Sequence, residues 1–279
     1  MTSPSARYDL SGRTALVTGA GGLLGRQHSA ALADIGARVV VTDIGLPQCE
    51  AAIAAVKAIA PKADLVAVTI DVTSSESVHA AAADLDRRGI AVDILVNNAA
   101  IDPKVGSAPG VMHSSRFEVF PIPQWQMEIA VGLTGAMLCA HVFGGAMARR
   151  GNGVILNIAS DLGVIAPDQR LYRQPHITRD EEQPVKPVTY SVIKHGLIGL
   201  TRYLATYWAE QGVRVNAISP GGVFNDQDPA FVEKLTRLIP MGRMATVDEY
   251  CAAIQFLCSD ASSYMTGQNI VMDGGRSVW

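Results

Sequence analysis

Tyr190 and Lys194 stand four residues apart, a spacing that puts both side chains on one face of a helix. There an ammonium stabilises the phenolate and lowers the tyrosine pKa from about 10 toward neutrality. A tyrosine tuned in this way gives a proton to an alkoxide or takes one from an alcohol. Alone the pair says little, because Tyr-x-x-x-Lys also arises by chance on surface helices. Its meaning depends on the elements that hold it and on what those elements bind.

A second chemical signal lies near the start of the chain, in Thr18-Gly-Ala-Gly-Gly-Leu-Leu-Gly25. Gly19, Gly21, Gly22 and Gly25, with Leu24 among them, join a β-branched run to an Ala/Leu-rich one. Glycines let the backbone turn sharply and approach a pyrophosphate, and the helix that follows offers free N–H groups. A glycine cluster also suits an ordinary tight turn, but between a strand and a helix it points to a dinucleotide. Asp43 closes the next run, 24 positions after Gly19. It can accept hydrogen bonds from adenosine ribose hydroxyls and repels a 2′-phosphate, which favours NAD(H) over NADP(H); the plain alternative is a strand-end turn cap. Arg26, just beyond the loop, could meet a phosphate. Asp71 and Val72 end a third run where an adenine would lie, and Asn98, Ala99 and Ala100 place backbone beside the cofactor. Asn97 reads as a structural bridge between strands.

The runs that must position these residues alternate. Strands are expected at 13–18, 37–43, 64–70, 92–97, 153–160, 213–219 and 269–272. Helices are expected at 23–36, 47–60, 74–89, 123–150, 188–212, 229–238 and 247–259. Continuous apolar strands between helices predict an α/β fold: a doubly wound, seven-stranded parallel sheet with helices on both faces. Residues 1–8 read as a flexible tail and 9–279 as one Rossmann-type domain. Two long loops, 101–123 and 166–187, leave the carboxyl ends of strands, where open parallel sheets bind ligands.

The 279 residues are 48% hydrophobic and 6% aromatic, with net charge −3. This suits a packed domain with a sizeable core. No basic block suggests nucleic acid. No apolar run reaches the roughly 18 residues of a membrane span, and the polar N-terminus lacks the core of a signal peptide. Cys49, Cys139, Cys251 and Cys258 match no metal or redox spacing and read as small core hydrophobes, so a reduced cytoplasmic protein without a metal is expected. His28, His79 and His141 have no ligand partners at suitable spacing. His195 points about 100° around the helix from Lys194 and reads as a packing or capping residue. His113 and His176 lie in the long loops, within reach of a substrate. Trp125, Trp208 and Trp279 read as packing or interface residues.

Taken in order, these motifs resemble the short-chain dehydrogenase/reductase family, from Leu10 to Trp279. The resemblance rests on the glycine loop, Asp71-Val72, Asn97-Asn98-Ala99, Asn157-Ile-Ala-Ser160, Tyr190-x-x-x-Lys194, Asn216-Ala-Ile-Ser-Pro220-Gly221, and the Gly267-Gln268-Asn269 to Asp273-Gly274-Gly275 ending. It implies that Tyr190 is the acid/base, that Lys194 lowers its pKa and holds the nicotinamide ribose, and that Ser160 bonds the substrate oxygen. It places Pro220, Gly221 and Val223 around the nicotinamide carboxamide, and it implies a homo-oligomer, tetramer or dimer. Within the family the chain resembles members linked to flagellin modification and to nonulosonic-acid or nucleotide-sugar biosynthesis. Asn98-Ala-Ala-Ile-Asp-Pro103, Val131-Gly-Leu-Thr-Gly135 and Ser160-Asp-Leu-Gly-Val-Ile-Ala-Pro167 carry that likeness.

The chain departs from the family pattern at four points. Leu23 replaces a glycine of the loop. Gly132 stands where the family has an asparagine whose carbonyl holds a lysine-linked water. Asn225 replaces a threonine. Ser160 and Tyr190 are 30 positions apart, well beyond the family spacing, so a substrate loop is inserted at about 166–187. Its arginines suit a phosphate or carboxylate, and Asp161, Arg170 and Arg173 are the substrate-side candidates; a solvated surface loop or an oligomer contact is the plain alternative. The expected function is an NAD(H)-dependent oxidoreductase that moves hydride between nicotinamide and a secondary alcohol or ketone, with a sugar or nucleotide sugar as candidate substrate. Another small secondary alcohol or polyol is the alternative. A catalytically silent NAD(H)-binding sensor is the competing reading from another class.

Overall fold

The computed structural model describes residues 3–101 and 115–279. Seven strands form one sheet in the order β3-β2-β1-β4-β5-β6-β7. They are β1 (Thr14–Val17), β2 (Arg38–Asp43), β3 (Leu65–Thr69), β4 (Ile94–Asn97), β5 (Gly153–Ile158), β6 (Val213–Pro220) and β7 (Asn269–Met272). Every neighbouring pair is parallel. The chain moves outward from β1 to β3, then returns to set β4 on the other side of β1. That reversal opens a crevice at the carboxyl ends of β1 and β4.

Successive strand residues face opposite sides of the sheet, and here both sides are covered. Leu16, Val40, Leu95 and Ile155 pack into one core cluster, with Phe143 and Met147 over them. Val17, Val39, Ile94 and Leu156 pack into the other, against Leu32, Ile254 and Leu257. Double coverage is why the strands read as apolar runs without alternation. Leu16 and Leu95 are fully buried, and truncating either to alanine costs about 2–5 kcal/mol.

The helices are α1 (Leu23–Asp34), α2 (Leu46–Ile59), α3 (Ser75–Arg87), α4 (Ile122–Arg150), α5 (Val188–Tyr207), α6 (Pro229–Thr236) and α7 (Cys251–Cys258). Ser74 caps α3 by accepting from the Ser77 N–H at 3.2 Å, as its residue type predicts. Helix α5 stops short of the expected end because residues 209–212 turn, with Gly212 at φ +70°. Helix α4 contains two wide π-helical turns, Ala130–Thr134 and Ala140–Gly144, which the sequence pattern does not signal. By length and composition α4 is apolar enough to cross a membrane, against the sequence expectation. Its apolar face lies in the core, however, where Cys139, Ala140, Phe143 and Met147 are buried. At the N-terminus Ser5–Tyr8 forms a 3-10 turn, and Leu10 is buried with its N–H on Ile35 O at 2.8 Å.

Candidate active site

One cleft of about 1240 Å³ runs across the carboxyl ends of the strands, from the glycine loop to α6. At the loop, Gly19 adopts φ +60°, and a Cβ there would meet Ala99 Cα at 2.8 Å. Asn98 braces the turn by donating its amide to Thr18 O and Gly19 O at 2.9 and 3.0 Å. The first intrahelical bond of α1 runs from Arg26 N–H to Gly22 O at 3.2 Å. The amides of Leu23, Leu24 and Gly25 precede it and are the free first-turn donors of a helix N-terminus. Leu23, the departure from the family loop, lines the cleft there. A close backbone turn, free amides and an open groove together fit the pyrophosphate of a dinucleotide.

Asp43 ends β2 beside this loop. Its carboxylate accepts from Gly21 N–H at 3.0 Å and from Ile44 N–H at 2.9 Å. Any side chain at 21 would strike it, because a Cβ would lie 2.7 Å from Asp43 Oδ2. Gly21 therefore serves Asp43 rather than the cleft. Each Asp43 oxygen keeps further lone-pair capacity for a ribose hydroxyl. Asp71 and Val72 line the same end, with Asp71 fixed by Thr73 N–H at 2.9 Å and the Thr73 hydroxyl at 2.6 Å. Asn97 instead donates to Asn157 Oδ1 at 2.8 Å, inside the sheet.

Midway along the cleft lie Ser160, Tyr190 and Lys194. Ser160 follows β5, and the other two share one face of α5. Lys194 is buried, donates to Ile158 O at 2.8 Å, and holds its ammonium 5.6 Å from the Tyr190 ring centre. A second ammonium, Lys186 Nζ, lies 3.9 Å from the same centre, within cation–π range. The start of α5 is tied to α4 through Thr189, whose hydroxyl donates to the buried Glu128 carboxylate; Gln124 donates to that carboxylate at 2.7 Å. Gly132 packs on Ile193, where a Cβ would come within 2.8 Å of Cγ2. Tyr250 is buried behind the site and donates to Gly221 O at 3.1 Å. Burial, with Asp161 adding to it, pushes the Tyr250 phenol up to about 12. It remains a donor that fixes the Pro220-Gly221 turn, where Pro220, Gly221 and Val223 line the cleft.

Residues 166–187 fold down onto α6. Leu171 joins Leu235, Ile239 and Met244 in a separate apolar cluster, and Tyr172 meets Phe231 at 5.7 Å between ring centres. The Gln183 side chain ties the loop to itself through Gln174 N–H at 2.8 Å and Ile177 O at 2.6 Å. Its charges are mostly matched internally. Arg170 is 80% exposed and grips Asp168 with two bonds of 2.9 and 2.7 Å. Arg179 pairs with Glu181 and Glu182. Arg170 thus lies away from the cleft that the sequence assigned it to, because Asp168 holds it outward. Arg173 does line the cleft, with Asp180 3.8 Å away.

Of the remaining substrate-side candidates, Asp161 lines the cleft with its carboxylate engaged by Ser160, Leu162 and Arg276. Asn225 lines it near Val223. His195 is exposed, on Ser191 O at 2.9 Å. His113 and the Asp102-Pro103 end of one motif lie outside the described residues. Sequence reasoning missed Lys234 and Arg276, both of which line the cleft. The position of Arg276, directly after Asp273-Gly274-Gly275, was the available signal for it.

Comparison with known proteins shows the family. Residues 13–172 match the family model for short chain dehydrogenase, and 179–277 match one described as enoyl-(acyl carrier protein) reductase. A D-threitol dehydrogenase from Mycolicibacterium smegmatis is 32% identical over 97% of this chain and 95% of its own length. An NAD-dependent glycerol dehydrogenase from Listeria innocua is 30% identical over 97% and 96%. The crystal structure of a gluconate 5-dehydrogenase from Burkholderia cenocepacia, in complex with NADP and tartrate, superposes with a TM-score of 0.82 at 30% identity, covering 98% of each chain. The names of these relatives concern polyols and a sugar acid rather than nucleotide sugars. The chain belongs to the short-chain dehydrogenase/reductase family of oxidoreductases.

Proposed function

We propose that this oxidoreductase uses NAD(H) to interconvert a secondary alcohol and a ketone on a sugar-derived substrate bearing an anionic group. The observation that carries this reading is the junction of Ser160, Tyr190 and Lys194 with a cleft that Arg173, Lys186 and Lys234 also line. A cationic wall beside a hydroxyl-handling centre suits a carboxylate or phosphate on a polyol. Relatives named for threitol, glycerol and gluconate act on polyols or their acids, and tartrate is a hydroxylated dicarboxylate. A nucleotide sugar has the same anionic handle, in line with the likeness to flagellin-modification and nucleotide-sugar enzymes. The internal pairing of Arg170 and Arg179 favours a second reading, a small neutral polyol.

A nicotinamide dinucleotide, when bound, supplies the hydride acceptor or donor. The glycine turn and the first amides of α1 would hold its pyrophosphate. Asp43 would hold the adenosine ribose, and its charge opposes a 2′-phosphate, which favours NAD(H) although some relatives bind NADP. Asp71, Val72 and Asn98–Ala100 would border the adenine and ribose path, and Pro220, Gly221 and Val223 the carboxamide. In oxidation Tyr190, as phenolate, takes the hydroxyl proton while Ser160 bonds the substrate oxygen. Lys194 would stabilise the phenolate and hold the nicotinamide ribose. In reduction Tyr190 returns the proton.

The exposed apolar side chains Ile122, Met127 and Met137 on α4, and Tyr203 and Tyr207 on α5, support a homo-oligomer, tetramer or dimer. Four free cysteines suit a reduced, cytoplasmic setting. The test is NADH absorbance with D-threitol, gluconate, a sugar phosphate and a nucleotide sugar, against NAD+ and NADP+. Turnover with NAD+ and higher kcat/KM on the anionic substrates are expected. Cofactor binding without turnover on any of them, unchanged by Tyr190→Phe, would make the protein a sensor instead.

A further inference from the structure

Lys186 and Lys194 flank Tyr190, each four residues from it. Lys194 meets the tyrosine on the face of α5, and Lys186 meets it from the loop that runs into that helix. Lys186 Nζ lies 3.9 Å from the Tyr190 ring centre, nearer than the 5.6 Å of Lys194 Nζ. The backbone fixes this approach. Pro184 and Pro187, both buried, bracket Val185 and Lys186, and Pro187 leads into α5 at φ −55°. A proline has one rigid φ, so the short segment between the two has little room to swing. The Lys186 N–H donates to Gln169 Oε1 at 2.9 Å, and the Val185 N–H to Ser115 Oγ at 3.1 Å.

An ammonium over a neutral phenol ring gains only a cation–π attraction. Beside a phenolate it gains a charge–charge attraction, so it favours the ionised form. Among the described residues, the other charged groups on the elements around Tyr190 are engaged with other partners. Asp161, after β5, bonds Ser160 and Arg276. Glu128, on α4, bonds Thr189 and Gln124. His195, on α5, sits on Ser191 O, and Arg173 faces Asp180. Across the cleft Lys234 donates to Arg173 O, Asp228 caps α6, and Asp226 is exposed. Building on the dehydrogenase reading above, we propose that Lys186 is a positioning residue that acts through Tyr190: a second ammonium, supplied by the inserted loop, that holds the ring and favours its phenolate. The loop that borders the substrate thereby also sets how readily the tyrosine takes or gives its proton.

Removing one of two neighbouring cations raises the pKa of a tyrosine. Oxidation needs the phenolate, so in Lys186→Gln the acid limb of kcat/KM should move up by about one pH unit. That is the low end of what a close charge produces, because Lys186 is only half-buried. Below both limbs the loss is about tenfold, and the plateau is retained. Reduction needs the phenol, so its alkaline limb should move up by the same amount. Lys186→Arg keeps a cation that stacks on aromatic rings and should keep the wild-type limbs. D-threitol and erythrulose serve as alcohol and ketone probes because neither carries a charge. A lysine that only grips an anionic substrate would leave both limbs in place with them, and a merely structural role would lower the plateau without moving a limb; either result overturns the proposal.

The phenolate can also be titrated without turnover. The difference in ultraviolet absorbance between the protein and its Tyr190→Phe variant, followed as pH rises, isolates this tyrosine from the other six of the seven in the chain. Its midpoint should lie about one pH unit higher when Lys186→Gln is present in both proteins, and an unchanged midpoint refutes the role. Loss of activity on every probe would sink the dehydrogenase reading, while the titration still decides the role of Lys186.

Discussion

His28 should make the fold lose stability in mild acid. The side chain lies in α1, one turn beyond Leu24, and is completely buried. Neither ring nitrogen has a hydrogen-bond partner among the described residues. Burial lowers its pKa from 6.5 to about 4, and the neighbouring Asn98 amide offsets part of that effect. The folded-state pKa is below the unfolded one, so the unfolded chain takes up a proton first. The stability that neutral His28 supports is complete above the unfolded value. It drains as pH falls from about 6.5 to about 4, and levels off below. The full shift corresponds to about 3 kcal/mol, of which about 2 kcal/mol is lost between pH 7 and pH 5. That is a large share of the ~5–15 kcal/mol that holds an ordinary domain together.

His28→Leu isolates this contribution, because leucine fills similar space and has no proton to bind. Urea melts of both proteins at a series of pH values give the difference in unfolding free energy at each pH. That difference should grow in favour of the leucine variant by about 2 kcal/mol from pH 7 to pH 5, since other titrating groups are common to both chains. A constant offset across that range would refute the reasoning. It would mean that His28 finds a proton-accepting partner or is hydrated in the native state.

Asp43→Ala should weaken NAD+ binding about tenfold, as expected for losing hydrogen bonds to a charged acceptor, and should improve NADP+ binding; fluorescence titration of both cofactors checks it, and equal effects on the two would contradict the assigned role. Gly132→Asn restores the family residue but drives a Cβ to 2.8 Å from Ile193, so it should cost about 1–3 kcal/mol in thermal melts and recover in part when Ile193 is cut to alanine. Lys234→Ala should raise KM for an anionic substrate several-fold, whereas Arg170→Ala, which removes a surface partner of Asp168, should leave KM unchanged. Cys139 and Cys258, whose thiols burial pushes up to about 12, should resist a thiol reagent until the protein is denatured.

The parts of the site legible in the sequence are those contained within one element or one turn. Tyr190 and Lys194 meet because a helix has a fixed period. Gly19 to Gly25 make a turn wherever a strand feeds a helix. The strand runs were legible because both faces of each are buried, so apolarity is continuous. The two wide turns of α4 were not, since no residue type demands them; Gly132 is explained only once Ile193 is seen against it. Among the charges of residues 166–187, Arg170 was misplaced for a related reason. Their arginines were visible, but whether Arg170 faces the cleft depends on Asp168 two residues away and on the buried Leu171 between them and α6. A composition of arginines therefore predicts no field until each partner is placed.

The same limit applies with more consequence to Asp161 and Arg276, which are 115 positions apart. They meet only because β7 pairs with β6 and β6 with β5, which brings the turn after β7 beside the turn after β5. Sheet order thus does more than shape a cleft. It delivers a cation from the end of the chain to a carboxylate next to Ser160, where an unpaired charge would be costly to bury. Neither partner is tolerable there alone, so the two should be lost or kept together. A single Arg276→Met substitution should therefore destabilise the protein more than the double change with Asp161→Leu, and the opposite order would show that the pair is not coupled.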